Sequence, residues 1–204
     1  MSKMPSERLC CREVPTPLGP VWIVASELGL CGLWFTDQKH APDADERAKW
    51  SPVPPGHDLI DKTEAALNAY FVQDVRFPGF ELPLDLTRGT PFQQQVWKAL
   101  VLIEPGAHTS YGELARRLGN PKAVRAVGAA VGRNPVSIIV PCHRVLGKGG
   151  QLTGYAGGLD RKRHLLSLEA LRRRADADAD AEGQEISSAA SSPVRHPGVS
   201  ISRA

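Results

Sequence analysis

An α+β fold is predicted for this 204-residue chain by three observations: β-forming runs gathered mainly in its first third, helical patterns predominating after them, and opposite charge in the two halves. The expected organisation is a strand-and-helix part over residues 1–89, a mostly helical part with a helix-turn-helix over 90–171, and a disordered tail over 172–204. Gly19–Ser26 and Gly29–Phe35 are β-rich runs joined by a short polar turn, which is a hairpin signal. The charges, prolines and alanines between Asp37 and Gly56 read as a loop. Asp58 is placed to cap a helix carrying Leu59, Ala66, Leu67, Tyr70 and Phe71 on one stripe. Recurrent Pro and Gly from Phe77 to Gly89, with Phe80, Leu82, Leu84 and Leu86 alternating, suggest an extended connection or an added strand, with a boundary near Arg88–Gly89.

The second part opens on Thr90-Pro91-Phe92-Gln93, a capping residue, a first-turn proline and a capping-box partner in order. Phe92, Val96, Ala99, Leu100 and Ile103 follow at helical spacing until Pro105-Gly106. Ser110 starts a second helix, ended by Gly119-Asn120-Pro121, and a third runs from about Ala123 to Gly132. Two short helices around a tight turn, the second rich in small residues, outline a helix-turn-helix. Ser137-Ile138-Ile139-Val140 reads as a buried strand, and a last helix covers Leu159 to Leu171. Beyond Arg174, Ala-Asp alternation and then Ser, Gly and Pro supply too little apolar surface to offset ordering entropy.

Charge narrows the partners. Residues 1–89 carry 9 Lys/Arg against 13 Asp/Glu, whereas residues 90–174 carry 14 against 4, a net +10. A basic half of that size points to a polyanion, most often nucleic acid. No apolar run approaches the ~20 residues of a membrane span, and no signal peptide is recognised at the N-terminus. Cys10, Cys11, Cys31 and Cys142 have neither disulfide-framework nor metal-site spacing, so a reducing compartment is expected.

The chemistry concentrates in Pro141-Cys142-His143-Arg144. A thiol beside an imidazole and a guanidinium is expected to favour thiolate, the nucleophilic form of cysteine. The plainer reading is a buried structural cysteine. The helix Ala123–Gly132 is almost bare of side chains except Arg125, so it is poorly equipped to read base edges. Small residues instead allow close approach in a minor groove, with Arg125 as a wedge; the plainer reading is a packed Ala/Gly helix.

Residues 90–171 resemble the catalytic domain of the O6-alkylguanine-DNA alkyltransferases (methylated-DNA–protein-cysteine methyltransferases). The blocks that carry the likeness are Thr109–Ala115, Gly119–Gly128, Arg133-Asn134-Pro135, Ile139–Val145, Gly154–Leu159, Leu165-Leu166 and Glu169, in family order and spacing. The resemblance implies an RNase H-like fold for the N-terminal part. It implies that Cys142 accepts the alkyl group of O6-alkylguanine, and of O4-alkylthymine, in one in-line displacement on a flipped nucleotide. His143 would take the thiol proton through a water, Glu169 would orient the imidazole, Asn134 would tie these groups together, and Tyr111 would donate to the departing guanine. Arg125, Tyr111, Ala123, Ala126, Gly128, Ala129 and Arg133 would face the minor groove of double-stranded DNA. Val145, Tyr155, Ala156 and Gly157 would line the base pocket, with Ala156 standing where some members carry Ser. No metal or cofactor is implied, the protein is expected to act as a monomer, and its place would be the cytoplasm, or the nucleus in a eukaryote. The alternatives are an alkyltransferase-like lesion binder that performs no transfer, against which Cys142 argues, and a cysteine hydrolase. The hydrolase is disfavoured because adjacent residues point in different directions along a strand or turn.

Overall fold

The computed structural model describes residues 8–72 and 79–190, with side chains described as far as residue 175. Its first layer is a four-stranded sheet in the order β3-β2-β1-β4, built from β1 (Cys10–Val14), β2 (Val21–Ala25), β3 (Leu30–Phe35) and β4 (Ser51–Pro52). β2 and β3 form the expected antiparallel hairpin, β1 pairs antiparallel with β2, and β4 pairs parallel with β1. Alternation sorts the side chains. Val21, Ile23 and Ala25 enter the main core, while Val24 joins Cys31 and Trp34 on the opposite face. That second face is closed by Trp50, stacked on Trp34 at 6.0 Å and edge-on to Trp22 at 6.2 Å.

Strand β1 and the segment before α2 depart from expectation. Cys10 and Cys11 belong to a strand, and the presumed loop contains a short helix, α1 (Ala44–Arg47), as well as β4. β1 escapes a hydrophobic reading because ion pairs hold it to α2 (Asp58–Phe71). Arg12 lies 2.6 Å from Asp61 and 3.1 Å from Glu64. His57, not Asp58, occupies the N-cap of α2, and the buried stripe is Ile60, Thr63, Leu67 and Tyr70. Asp58 therefore contributes charge in the first turn, where a carboxylate favours the helix dipole, instead of a cap.

The outer edge of β3 is covered by two later segments. Leu30 exchanges backbone hydrogen bonds with Pro83 and Asp85, at 2.8 and 2.9 Å, and Leu33 with Pro135 and Ser137, at 2.9 and 2.8 Å. Pairing removes an open edge and anchors the chain just after Asn134 to the sheet. At Gly29 a Cβ would stand 2.6 Å from the Pro83 carbonyl oxygen at a φ of +152°, so this crossing admits only glycine.

The helical part begins with α3 (Pro91–Val101), whose Thr90–Gln93 capping box is formed as expected. α4 (Tyr111–Arg117) is capped by Ser110, and α5 (Val124–Gly132) packs between α3 and α4, with Trp97 Nε1 donating to Ala130 O at 2.9 Å. A small parallel pair, β5 (Thr109–Ser110) and β6 (Val145–Leu146), ties the start of α4 to the chain after Cys142. One continuous buried cluster joins Ile23, Leu33 and Leu67 to Leu100, Leu114 and Leu165 across both halves. The last helix, α6 (Leu159–Ala190), runs well past Leu171, so residues 172–190 of the expected disordered tail are helical. Ala, Glu and Arg, the strong helix formers of that stretch, favour continuation even with little to bury. Residues 191–204 lie outside the described residues. No helix among the described residues is long and apolar enough to cross a membrane.

Candidate active site

The segment Ser137–Val140 is not a strand. It coils through turns, with Ile138 at a φ of +70° and Val140 N donating to Val136 O at 2.9 Å. Its β-forming composition is overridden by a side chain, because context outweighs strand propensity. Asn134, 3 % exposed, donates from Nδ2 to Val140 O at 2.7 Å and to Cys142 Sγ at 3.1 Å, and its Oδ1 accepts from Val136 N at 3.0 Å. The turn is wound around that amide. It delivers Cys142, His143 and Arg144 on a single buried 3₁₀ turn.

Behind the thiol lies a hydrogen-bonded relay. His143 Nε2 lies 2.9 Å from Glu169 Oε1, and both side chains are sealed from solvent. Glu169 also receives Arg144 twice, from Nη2 to Oε1 at 2.7 Å and from Nε to Oε2 at 2.8 Å, while Arg144 Nη1 donates to Ile103 O. Burial by itself would raise the Glu169 carboxyl. The donors from His143 and Arg144 outweigh it and hold the group well below the usual carboxylate range. An ionised Glu169 accepts the Nε2 proton and leaves Nδ1 of a neutral imidazole as the acceptor; Nδ1 is buried and has no protein partner.

The expectation of a resting thiolate is corrected. Burial pushes the Cys142 thiol up, more than the Asn134 hydrogen bond and the Lys162 charge pull it down. Burial likewise pushes His143 below its ordinary value despite Glu169. The resting pair is therefore thiol and neutral imidazole.

Cys142 opens onto a cavity of about 230 Å³, walled by Tyr111, Gly128, Val131 and Gly132 from α4 and α5, by Gly154, Tyr155 and Ala156, and by Lys39 and His40 from the first half. Tyr111 OH reaches Gly154 O and Thr153 O at 3.3 and 3.4 Å, at the long limit for a hydrogen bond. Val145 and Gly157 do not line it. Val145 is fully buried, and Gly157 sits against Tyr155 and Phe35 with no room for a side chain. On the outer surface of α5, Arg125, Ala126 and Ala129 are exposed, Arg133 is exposed at its end, and Ala123 is half-buried at its start. A second cleft of about 930 Å³ lies between Trp34, Trp50 and Trp97 and shares only His40 with the cavity at Cys142.

Four contributors escape the sequence reading. Lys162 is fully buried and donates to Val145 O at 2.6 Å and Thr153 O at 2.8 Å, fixing both ends of the loop below the cavity. Desolvation lowers its ammonium to about 8. A lysine in one stripe with Leu165 and Glu169 was a visible signal, since Lys is almost never fully buried without partners. Lys39, His40 and Tyr70 had no such signal, because each reaches the site from the other half of the fold. Among the described residues no group of three or more His, Cys, Asp or Glu side chains is placed to hold a metal ion.

Fold and site together define a class: a mixed helix-and-strand protein with a buried cysteine opening onto a cavity, a His–Glu relay behind it and a small-residue helix at the cavity mouth. The model of the 6-O-methylguanine DNA methyltransferase DNA-binding domain matches residues 91–171. The methylated-DNA–protein-cysteine methyltransferase of Mycobacterium tuberculosis (strain H37Rv) is 46% identical over 166 residues, covering 81% of this chain and 94% of that protein. That of Haemophilus influenzae is 44% identical over 158 residues, covering 76% and 83%. Among solved structures, Mycobacterium tuberculosis OGT in complex with DNA superposes with a TM-score of 0.71 at 45% identity, covering 80% of this chain and 94% of that one. The chain belongs to the methylated-DNA–protein-cysteine methyltransferase family.

Proposed function

We propose that this protein repairs alkylated DNA by moving the alkyl group from O6 of a flipped guanine, and from O4 of thymine, onto Cys142. The observation that carries this is the position of the Cys142 sulfur: it faces a base-sized cavity at the foot of α5, held by Asn134 and backed by His143–Glu169. Family membership supplies the reaction class.

In this reading α4 and α5 are a helix-turn-helix that lays Ala126, Gly128 and Ala129 into the minor groove, where small residues permit close approach. Arg125 fills the gap left by the extruded nucleotide, and Ala123 and Arg133 flank the contact. Extrusion costs a few kcal/mol, least for a poorly paired base. The base enters between Tyr155 and Ala156, with Val145 and Gly157 shaping the wall from behind. The thiol proton passes through a water to His143 Nδ1, and the imidazolium is stabilised by Glu169. Sulfur then attacks the alkyl carbon in line with the departing oxygen. The C–O6 bond breaks, its electron pair goes to the guanine, and Tyr111 protonates that leaving group. The proton held on His143 returns the phenol to its neutral form through solvent. Nothing in the site reverses a thioether, so each molecule acts once.

The division at Arg88–Gly89, an RNase H-like first half, a monomeric protein and a cytoplasmic (eukaryotic: nuclear) site of action complete the proposal. Mass spectrometry of the Cys142 peptide after incubation with duplex containing O6-methylguanine tests it. One methyl group per molecule is expected, lost in Cys142→Ala. Tight lesion binding with unmodified Cys142 would instead make the protein an alkyltransferase-like sensor.

A further inference from the structure

The carboxylate of the relay is anchored from the opposite half of the molecule. Tyr70, at the end of α2 and 1 % exposed, donates its hydroxyl to Glu169 Oε1 at 2.9 Å. The same oxygen takes His143 Nε2 at 2.9 Å and Arg144 Nη2 at 2.7 Å, while Oε2 takes Arg144 Nε at 2.8 Å and the Gly106 amide at 3.2 Å. Five donors on two oxygens exceed the roughly four lone-pair sites a carboxylate offers. Three of them compete for Oε1, so the hold of Glu169 on the imidazole depends on its other partners. The Tyr70 ring is fixed in turn by Phe71 edge-on at 5.4 Å, Phe80 at 5.3 Å and the Arg172 guanidinium at 5.6 Å.

We propose that Tyr70 is a positioning residue for alkyl transfer, steering Glu169 and tempering its charge so that His143 remains a proton acceptor. The proposal rests on the function given above and adds a participant from outside the matched residues 91–171. Burial and the Glu169 charge push the Tyr70 phenol well above its ordinary value of 10, so it remains a donor throughout the working range. Besides its burial, the groups that set the titration of His143 are Glu169 and Lys162 from α6, Arg144 on its own segment and, through Glu169, Tyr70 from α2.

Tyr70→Phe keeps the ring and deletes the donor. Without it Oε1 carries more charge and stabilises imidazolium, so the pKa of His143 rises. A protonated His143 cannot take the thiol proton, and the acid limb of the single-turnover transfer rate moves to higher pH. A shift of about half a unit to one unit is expected, which slows transfer about three- to tenfold below the limb and leaves it nearly unchanged well above it. NMR titration of the His143 ring in DNA-free protein should move the same way. An unmoved titration, or a rate loss equal at every pH and tracking a lower melting temperature, would reduce Tyr70 to a packing residue and overturn the proposal. Absence of methyl transfer in the wild-type protein would strike the proposed function, whereas the DNA-free titration would still decide the role of Tyr70.

Discussion

Asn134 ties the nucleophile of the site to the backbone around it. Its amide closes the turn that presents Cys142, donates to the sulfur and binds the backbone on either side. Replacing it with Ala strands Val136 N in a buried setting, leaves Val140 O with Cys142 N alone and removes a donor that lowers the thiol pKa. A loss of about 2–4 kcal/mol in urea denaturation is expected, because buried groups left unsatisfied cost their full desolvation. Transfer should slow as well, since the sulfur loses the donor that supports its anion; an unaltered rate would remove Asn134 from the chemistry. At this scale the sequence was informative about identity and poor about state. Cys142, His143, Glu169, Asn134 and Tyr111 were all nameable from motif, and the structure brings Asn134 to the sulfur and Glu169 to His143. The thiolate expected from basic neighbours fails, because neighbours along the chain do not disclose burial, and burial dominates here.

Among elements, those with local punctuation were legible. The Thr90 capping box, the Ser110 cap and the β2–β3 hairpin are written in adjacent residues and form as read. Elements held by distant partners were not. β1 pairs along β2 and joins α2 through Arg12, and Ser137–Val140 mimics a strand until Asn134 coils it. The loop under the cavity shows how closely such a wall is packed. A Cβ at Gly157 would stand 2.8 Å from the Tyr155 ring and 3.1 Å from Phe35. Gly157→Ala must therefore displace Tyr155 from the cavity wall. Transfer should fall at least about tenfold, at a stability cost of about 1–3 kcal/mol typical of overpacking. Kinetics on duplex substrate beside thermal melts test this, and a wild-type rate would show that Tyr155 does not shape the pocket.

For the whole molecule, the fold class was readable from the order of patterns and the polyanion partner from the charge split, while contacts between the halves were hidden. The core is continuous across Arg88–Gly89, and Tyr70, Lys39 and His40 serve the site from the first half. Charge also fixes how the protein meets DNA. Phosphate contacts release counterions, so the logarithm of affinity should fall linearly with the logarithm of salt concentration. Arg133→Ala, which removes an exposed cation at the end of α5, is expected to reduce that slope by about one. Fluorescence anisotropy on a labelled duplex measures it; an unchanged slope would place Arg133 away from the backbone.

For a reagent that works once, the sealed thiol also governs shelf life. Oxidants and stray electrophiles attack exposed thiolates first. Cys142 waits protonated and 4 % exposed, whereas Cys10 and Cys11 stand half-buried on β1. Burial of this kind is expected to spare the single thiol from oxidation before a lesion is met. Patience is built into the same burial that makes the resting cysteine a poor nucleophile.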